Sequence, residues 1–248
     1  MDALGPLQLI FCALVVTLAF AVRGGAGFGG GAIAVPLLAL VLPLQVAVPA
    51  VSVLNMLSSI GHGIRDWRKI VWSEILRLIP FTLLGVGMGL YLLAQLDPKP
   101  LAKALGVFVI LYAVYAMVTA GRALPLPRRL LAPLGALMSS AAGFVGTLFG
   151  GAAGPLYVIY LSALKLERDC FRVTITTIML FQGLTRIGGY AGLGLFNSAT
   201  LSVLAAALPM MLIGSYFGAR LIRRFDQAKF NRALSCVLLV SGLALLIK

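Results

Sequence analysis

Long unbroken apolar runs constrain the fold of this chain more than any other feature. Ten can be read directly, and they are Leu7–Val22, Gly31–Leu42, Gln45–Ile64, Ile75–Leu96, Leu101–Ala120, Leu130–Phe149, Ala152–Leu164, Val173–Leu195, Leu201–Ile222 and Ala233–Ile247. A helix needs about 20 apolar residues to cross a bilayer, whereas a transmembrane β-strand alternates over about ten. The runs therefore predict an all-α, polytopic membrane protein in contact with lipid.

Composition excludes the other broad classes. Hydrophobic residues make up 61% of the 248 residues and charged residues 11%, against about 45–50% and 25% in soluble domains. The net charge of +13 fits basic cytoplasmic loops better than a nucleic-acid partner. Cys12, Cys170 and Cys236 are far apart and have no metal-ligand spacing, so we expect free thiols, no metal and no cofactor.

Two of the apolar runs, Gly31–Leu42 and Ala152–Leu164, are too short to cross a bilayer, and each follows a glycine cluster, at 23–31 in the first half and 146–154 in the second. This symmetry extends into an internal repeat. At an offset of 129, residues 80–105 align with 209–234 without gaps, and the identical pairs are Pro80/Pro209, Leu83/Leu212, Gly85/Gly214, Gly89/Gly218, Leu92/Leu221, Asp97/Asp226, Ala104/Ala233 and Leu105/Leu234. The sequence predicts two repeats within one membrane domain, residues 1–122 and 130–248, joined by a linker at 123–129.

Basic residues orient the repeats. If each glycine-broken pair of runs is a hairpin that enters and leaves on one side, fourteen of the 20 lysines and arginines fall on one face: Arg65, Arg68, Lys69, Arg122, Arg128, Arg129, Lys165, Arg168, Arg172, Arg220, Arg223, Arg224, Lys229 and Arg232. The opposite face has only Lys99, Lys103 and Lys248. The rich face is then cytoplasmic and both termini are periplasmic. Each half is predicted to be a hairpin plus three transmembrane helices, and the halves are inverted.

The glycine clusters can expose backbone N–H groups inside the membrane. Broken helices at corresponding positions of inverted repeats are typical of transporter sites near the midplane. The residues that open the second arms are Gly29, Gly30 and Gly31 in one hairpin and Gly150, Gly151 and Ala152 in the other. They predict an anion site, and the alternative is that they only allow close helix packing.

Two arginines lie in or beside apolar segments. Arg186 is deep within Val173–Leu195 and no acidic residue sits in the middle of a span, so a substrate anion would suit it as a counter-ion. The alternative is a hydrogen bond to helix-end carbonyls. Arg23 stands at the first hairpin tip without an equivalent in the second, and we expect it to reach the cytoplasmic interface as a topological residue, with a site role as the alternative.

Other polar residues form weaker candidates. Asn55, Ser58 and Ser59 on one helix and Gln182 and Thr185 on its counterpart make a symmetric polar stripe, which could contact substrate or hydrogen-bond helix to helix. Thr147 at the second tip is a further candidate. His62 could carry a proton, but its place three residues before Arg65 favours an interfacial role.

The glycine motifs resemble a known family. Phe28-Gly29-Gly30 and Phe149-Gly150-Gly151, followed by Pro36-Leu37 and Pro155-Leu156, are similar to the TauE/SafE sulfite exporters, also called toluene-sulfonate-uptake permeases, over nearly the whole chain. The resemblance implies secondary transport of a small sulfur-containing anion, sulfite or an organosulfonate, across the bacterial inner membrane.

Other functions are weighed against secondary transport. An anion channel of the same architecture is the main alternative. The sequence has no nucleotide-binding motif, which argues against primary transport. It has a single histidine and no buried carboxylate pair, which argues against an enzyme and offers no catalytic residues. The direction of transport, the coupling ion and the oligomeric state are left open, and a homo-oligomer is compatible with the sequence.

Overall fold

The computed structural model describes residues 5–26, 29–63, 67–95, 98–119, 128–151, 153–221 and 227–247. In the first half these form α1 (Pro6–Ala26), α2 (Gly30–Leu38), α3 (Leu44–Gly63), a short 3₁₀ helix (Trp67–Lys69), α4 (Trp72–Gln95) and α5 (Pro98–Thr119). In the second half they form α6 (Arg128–Leu148), α7 (Gly154–Ala163), α8 (Arg168–Gly192), α9 (Ser198–Leu221) and α10 (Gln227–Ile247).

The all-helical fold class is confirmed, since the described residues contain helices and no strand. In the part of the chain that the structure describes, four helical stretches are long and apolar enough to cross a membrane: Pro6–Gly25, Trp72–Gln95, Arg129–Leu148 and Ser198–Gly218. Their large apolar side chains on the outer surface, such as Leu84 and Leu137, are suited to lipid. The chain is therefore a polytopic membrane protein.

Each half begins with a long helix followed by a short one. At 1.5 Å per residue, the nine residues of α2 and the ten of α7 reach only about 14 and 15 Å, half the thickness of a bilayer core. Every residue of α2 except Leu37 is buried, as expected for a helix that is apolar all round.

Helix α1 continues further than its apolar run predicts. The sequence places the break at the start of the glycine cluster, but α1 runs on through Arg23 and Gly24 to Ala26. A Cβ on Gly24 would lie 2.5 Å from the backbone oxygen of Ser215 in α9. Close packing against α9 therefore keeps these glycines helical and carries Arg23 into the interior.

The helix contacts between the two halves are symmetric, because each contact has a counterpart between the equivalent helices. Helix α1 packs on α9 and its counterpart α6 packs on α4, while α3 pairs with α8 and α5 with α10. The inverted orientation of the halves in the membrane stays a prediction. So do the repeat boundaries; residues 123–127 of the predicted linker lie outside the described residues, and α6 already begins at Arg128.

The aligned glycines of the repeat lie at the two matching helix contacts. A Cβ on Gly85 would lie 2.0 Å from the backbone oxygen of Ser140, where α4 packs on α6. A Cβ on Gly214 would lie 2.3 Å from the backbone oxygen of Thr17, where α9 packs on α1. These glycines allow close backbone approach, as small residues do between membrane helices.

One end of the molecule brings two of the basic clusters together. Lys69, in the 3₁₀ helix before α4, pairs with Asp169 of α8 at 2.7 Å. The loops that precede α4 and α8 therefore lie on the same face, as the predicted orientation requires.

Candidate functional site

The two glycine-rich breaks meet inside the molecule. Gly29 caps α2 with a φ of 95°, and Gly150 and Gly151 have φ of 62° and 109°, a left-handed backbone that favours glycine. A Cβ on Gly31 would lie only 2.6 Å from the backbone oxygen of Gly150. The two hairpin tips are therefore in direct backbone contact, and α7 begins two residues after Ala152, which lies outside the described residues.

Asn55 of α3 joins the two tips. Its Nδ2 donates to the backbone oxygen of Gly150 at 3.2 Å, and a Cβ on Gly31 or on Gly151 would approach that Nδ2 within 2.7 Å. Its Oδ1 faces Gly30 and has no partner among the described residues. The predicted polar stripe thus places one amide between the halves, with an unused acceptor.

Arg23 is buried at the first tip, with 2% of its surface exposed. Its Nη2 donates to the backbone oxygen of Asn55 at 3.1 Å and to Oγ of Ser59. Its Nη1 has no hydrogen-bond partner in the described part of the chain. The expectation that Arg23 reaches the cytoplasmic interface is wrong, because α3 covers the guanidinium and supplies its acceptors.

Arg186 is equally buried in the second half, with 2% exposed. Its Nη1 donates to the backbone oxygen of Gly146, in the last turn of α6, so the bond to a helix-end carbonyl that was the alternative for this residue is present. The Nε, however, has no partner among the residues described. One turn earlier, Gln182 donates from Nε2 to the backbone oxygen of Ala142 at 2.6 Å, and its Oε1 is also without a partner there.

Neither buried arginine is neutralised by a carboxylate in the described ranges. The ion pairs there are Lys69 with Asp169 and Arg77 with Glu74, both outside the hairpin tips. Burying an uncompensated charge costs several kcal/mol, so this arrangement is suited to a bound anion.

The remaining candidates lie at other places along α3, α6 and α8. Ser58 lines a cavity between α3 and α9, and Thr185 donates to the backbone oxygen of Gln182 in its own helix and lines a cavity between α4 and α8. Thr147 donates to the backbone oxygen of Gly143. His62 lies in the last turn of α3, and its side chain is outside the described residues.

Two residues at the site were missed by sequence reasoning. Gly146 accepts from Arg186, and a Cβ there would lie 2.8 Å from Nε2 of Gln182; its place at the start of the second glycine cluster was the available signal. Tyr190 of α8 donates from its hydroxyl to the backbone oxygen of Thr147 at 2.5 Å. Nothing in the sequence distinguishes it from other membrane tyrosines.

The fold and the site define a helical membrane protein with a cationic interior between two broken hairpins. The chain belongs to the family described as sulfite exporter TauE/SafE, whose model matches residues 12–245. This match confirms the resemblance seen in the glycine motifs, and the family description is that of a membrane transporter. The chain is 28% identical over 201 residues to the probable inner membrane transporter protein TsaS of Comamonas testosteroni, covering 79% of this chain and 80% of that protein. No solved structure matches it.

Proposed function

We propose that this chain is a secondary transporter that exports a small sulfur-containing anion, of the sulfite or organosulfonate class, across the bacterial inner membrane. The observation that carries the proposal is the pair of buried arginines without a carboxylate partner among the described residues, placed where the hairpin tips meet. An oxyanion bound there would compensate both charges and accept from their unused N–H groups. The name of the related transporter supports an inner-membrane location.

The hairpin tips are the moving parts in this proposal. In the present conformation both arginines are buried and Asn55 holds the tips together through Gly150. An anion can reach the guanidiniums only after α2 or α7 separates from that contact. Because each short helix belongs to a different half, opening one tip at a time gives alternating access.

Export is the direction that the membrane potential supports. An interior-negative potential drives an anion outward by about 2.3 kcal/mol per charge per 100 mV. Export down this gradient needs no coupling ion. The same potential opposes uptake of the anion, which would need a coupled cation.

Flux into and out of proteoliposomes tests the function. Purified protein is reconstituted, a potential is set with valinomycin and K⁺, and labelled sulfite, thiosulfate, sulfate, methanesulfonate and acetate are compared. We expect saturable flux of the sulfur oxyanions that follows the potential, with acetate carried poorly. Flux of none of the sulfur anions, or a preference for acetate, would overturn the proposal.

The same vesicles separate a transporter from an anion channel of this architecture. A transporter saturates with substrate and exchanges labelled for unlabelled anion across the membrane. A channel passes anions in proportion to concentration and without such counterflow. Flux that rises linearly with concentration and shows no counterflow would show that the protein is an anion channel and not a transporter.

A further inference from the structure

The two arginines occupy matching places in the two halves although they do not align in sequence. An offset of 127 aligns α3 with α8 through the identical pairs Leu57/Leu184, Ile60/Ile187 and Gly61/Gly188, and the residue opposite Arg186 is then Ser59. Ser59 is the side chain that accepts from Arg23. Each half therefore has one guanidinium at the contact between the hairpin's first arm and the helix after the hairpin.

The guanidiniums come from opposite sides of that contact. In the first half Arg23 extends from α1 to the backbone of α3 at Asn55. In the second half Arg186 extends from α8 to the backbone of α6 at Gly146. The positive charge thus lies at the same contact in both halves, but the first arm of the hairpin supplies it in one half and the helix after the hairpin supplies it in the other.

Backbone and amide contacts connect the two guanidiniums through the hairpin tips. Arg23 contacts Asn55, Asn55 donates to Gly150, and the next residue, Gly151, donates its backbone N–H to the oxygen of Gly146 at 3.1 Å. That same oxygen accepts from Arg186. The two guanidiniums therefore lie on one connected set of contacts across the hairpin tips, and each keeps an N–H group without a partner in the described residues.

Resting on the function proposed above, we propose that Arg23 and Arg186 are equivalent halves of one binding site for a doubly charged oxyanion. A dianion compensates both guanidiniums. A singly charged anion of the same size leaves one of them uncompensated inside the protein, which is costly. The pair of arginines thereby selects the substrate by its charge.

Sulfate and methanesulfonate provide the ligand comparison, since both are small tetrahedral anions of sulfur. Sulfate has four oxygens and a double negative charge, whereas methanesulfonate has a methyl group in place of one oxygen and a single negative charge. Binding is measured by thermal stabilisation and by calorimetry on the full chain in detergent. We expect wild-type protein to bind sulfate about tenfold or more tightly than methanesulfonate. Arg23→Ser and the more conservative Arg23→Gln should abolish that preference, whereas Arg77→Ser, which removes an exposed arginine of α4, should leave it intact.

Moving the charge across the contact tests the equivalence directly. Arg23→Ser combined with Ser59→Arg supplies the guanidinium from α3, as Arg186 supplies it from α8, and should restore the preference for sulfate. The matched control combines Arg23→Ser with Ser58→Arg, which places the same charge one residue away, beside the cavity between α3 and α9, and should not restore it.

The outcomes separate this inference from the proposed function. Wild-type protein that carries and binds no sulfur anion would overturn the proposed function. Wild-type protein that binds both anions equally, or Arg23 variants that keep the wild-type ratio, would overturn the charge selection alone. Aggregation of Arg23→Ser, Arg23→Gln and the Ser59→Arg combination would make Arg23 a structural residue and overturn its place in the site.

Discussion

Ser59 is the side chain through which a single substitution can neutralise Arg23. Its hydroxyl accepts from Nη2 of Arg23 and donates to the backbone oxygen of Asn55 at 2.9 Å, and the residue is buried. A carboxylate in this position would lie beside the guanidinium and compete with any bound anion. Charge and volume at this position can be varied separately.

We predict that Ser59→Asp raises the melting temperature relative to Ser59→Asn and lowers anion binding about tenfold or more. The two substitutions have the same shape, so the difference between them reports the new ion pair with Arg23. Melting curves with and without sulfate measure both effects. Equal sulfate stabilisation of the two variants would place Arg23 outside the anion site.

Gly30 offers a substitution that reaches the site without straining the backbone. A Cβ there would lie 3.1 Å from Cδ of Arg23 and 3.1 Å from Oδ1 of Asn55, so a methyl group displaces both side chains. Gly151 is less suitable, because its φ of 109° strains any other residue. Substitutions at Gly151 would therefore change the stability of the fold as well as anion binding.

We predict that Gly30→Ala elutes as a monodisperse protein and loses most of its flux, about tenfold. Gly188→Ala on α8 is the control, since a Cβ there meets nothing within 4 Å. Size-exclusion chromatography and proteoliposome flux are compared for both. Full flux in Gly30→Ala would show that the glycine serves helix packing only.

At the scale of helices, the site depends on two matching contacts that hold the first arms of the hairpins. Helix α4 supports α6 and helix α9 supports α1, with Gly85 and Gly214 at the closest approaches. These contacts hold the first arms of the hairpins, α1 and α6, in place. Substitutions at these contacts should therefore change the stability of the fold, whereas substitutions at the tips should change transport.

We predict that Gly85→Ala and Gly214→Ala each destabilise the protein by about 1–3 kcal/mol, because the added methyl groups overpack a backbone contact. The effects should be similar, since the two positions are equivalent. Gly87→Ala, which meets nothing within 4 Å on the same α4 helix, is the control. Denaturation midpoints in detergent provide the measurement, and a neutral result at both positions would contradict the packing described here.

The helix breaks could be predicted from the sequence, but their three-dimensional partners could not. Glycine clusters mark where a chain can reverse, and α2 begins at Gly30 as expected. The burial of Arg23 depends on α3, whose Asn55 is 32 residues away in the chain, and on α9, which keeps α1 helical past its apolar run. Local sequence patterns carry no information on such contacts.

The candidate residues show the same limit. Asn55 and Gln182 were identified because they align in the repeat, and both lie at the hairpins. The equivalence of Arg23 and Arg186 escaped the alignment because the two charges come from helices that do not correspond. An alignment of repeats compares positions along the chain, whereas the site depends on where the guanidinium groups lie in the folded protein.

For the whole molecule, the orientation in the membrane is the main untested prediction. Fourteen basic residues are predicted to lie on the cytoplasmic face, and the ion pair between Lys69 and Asp169 brings two of their clusters together. The positive-inside bias then predicts that both termini lie in the periplasm. Labelling from outside the cell can test this.

We predict that a membrane-impermeant thiol reagent on intact cells labels single cysteines placed at position 2 or 98, but not one at 126. The background replaces Cys12, Cys170 and Cys236. Permeabilised cells, in which position 126 becomes accessible, provide the control for reactivity. Labelling at 126 without labelling at 98 would reverse the topology.

The two uncompensated guanidiniums also determine which step of a transport cycle carries electrical current. With a dianion bound, the site is electrically neutral, so changing its access from one side of the membrane to the other does no electrical work. Without it, the site has two positive charges, and an interior-negative potential draws it toward the cytoplasm by about 2.3 kcal/mol per charge per 100 mV. The voltage would then act on the return of the empty carrier, giving a transient current that is present before substrate is added and that saturating sulfate suppresses.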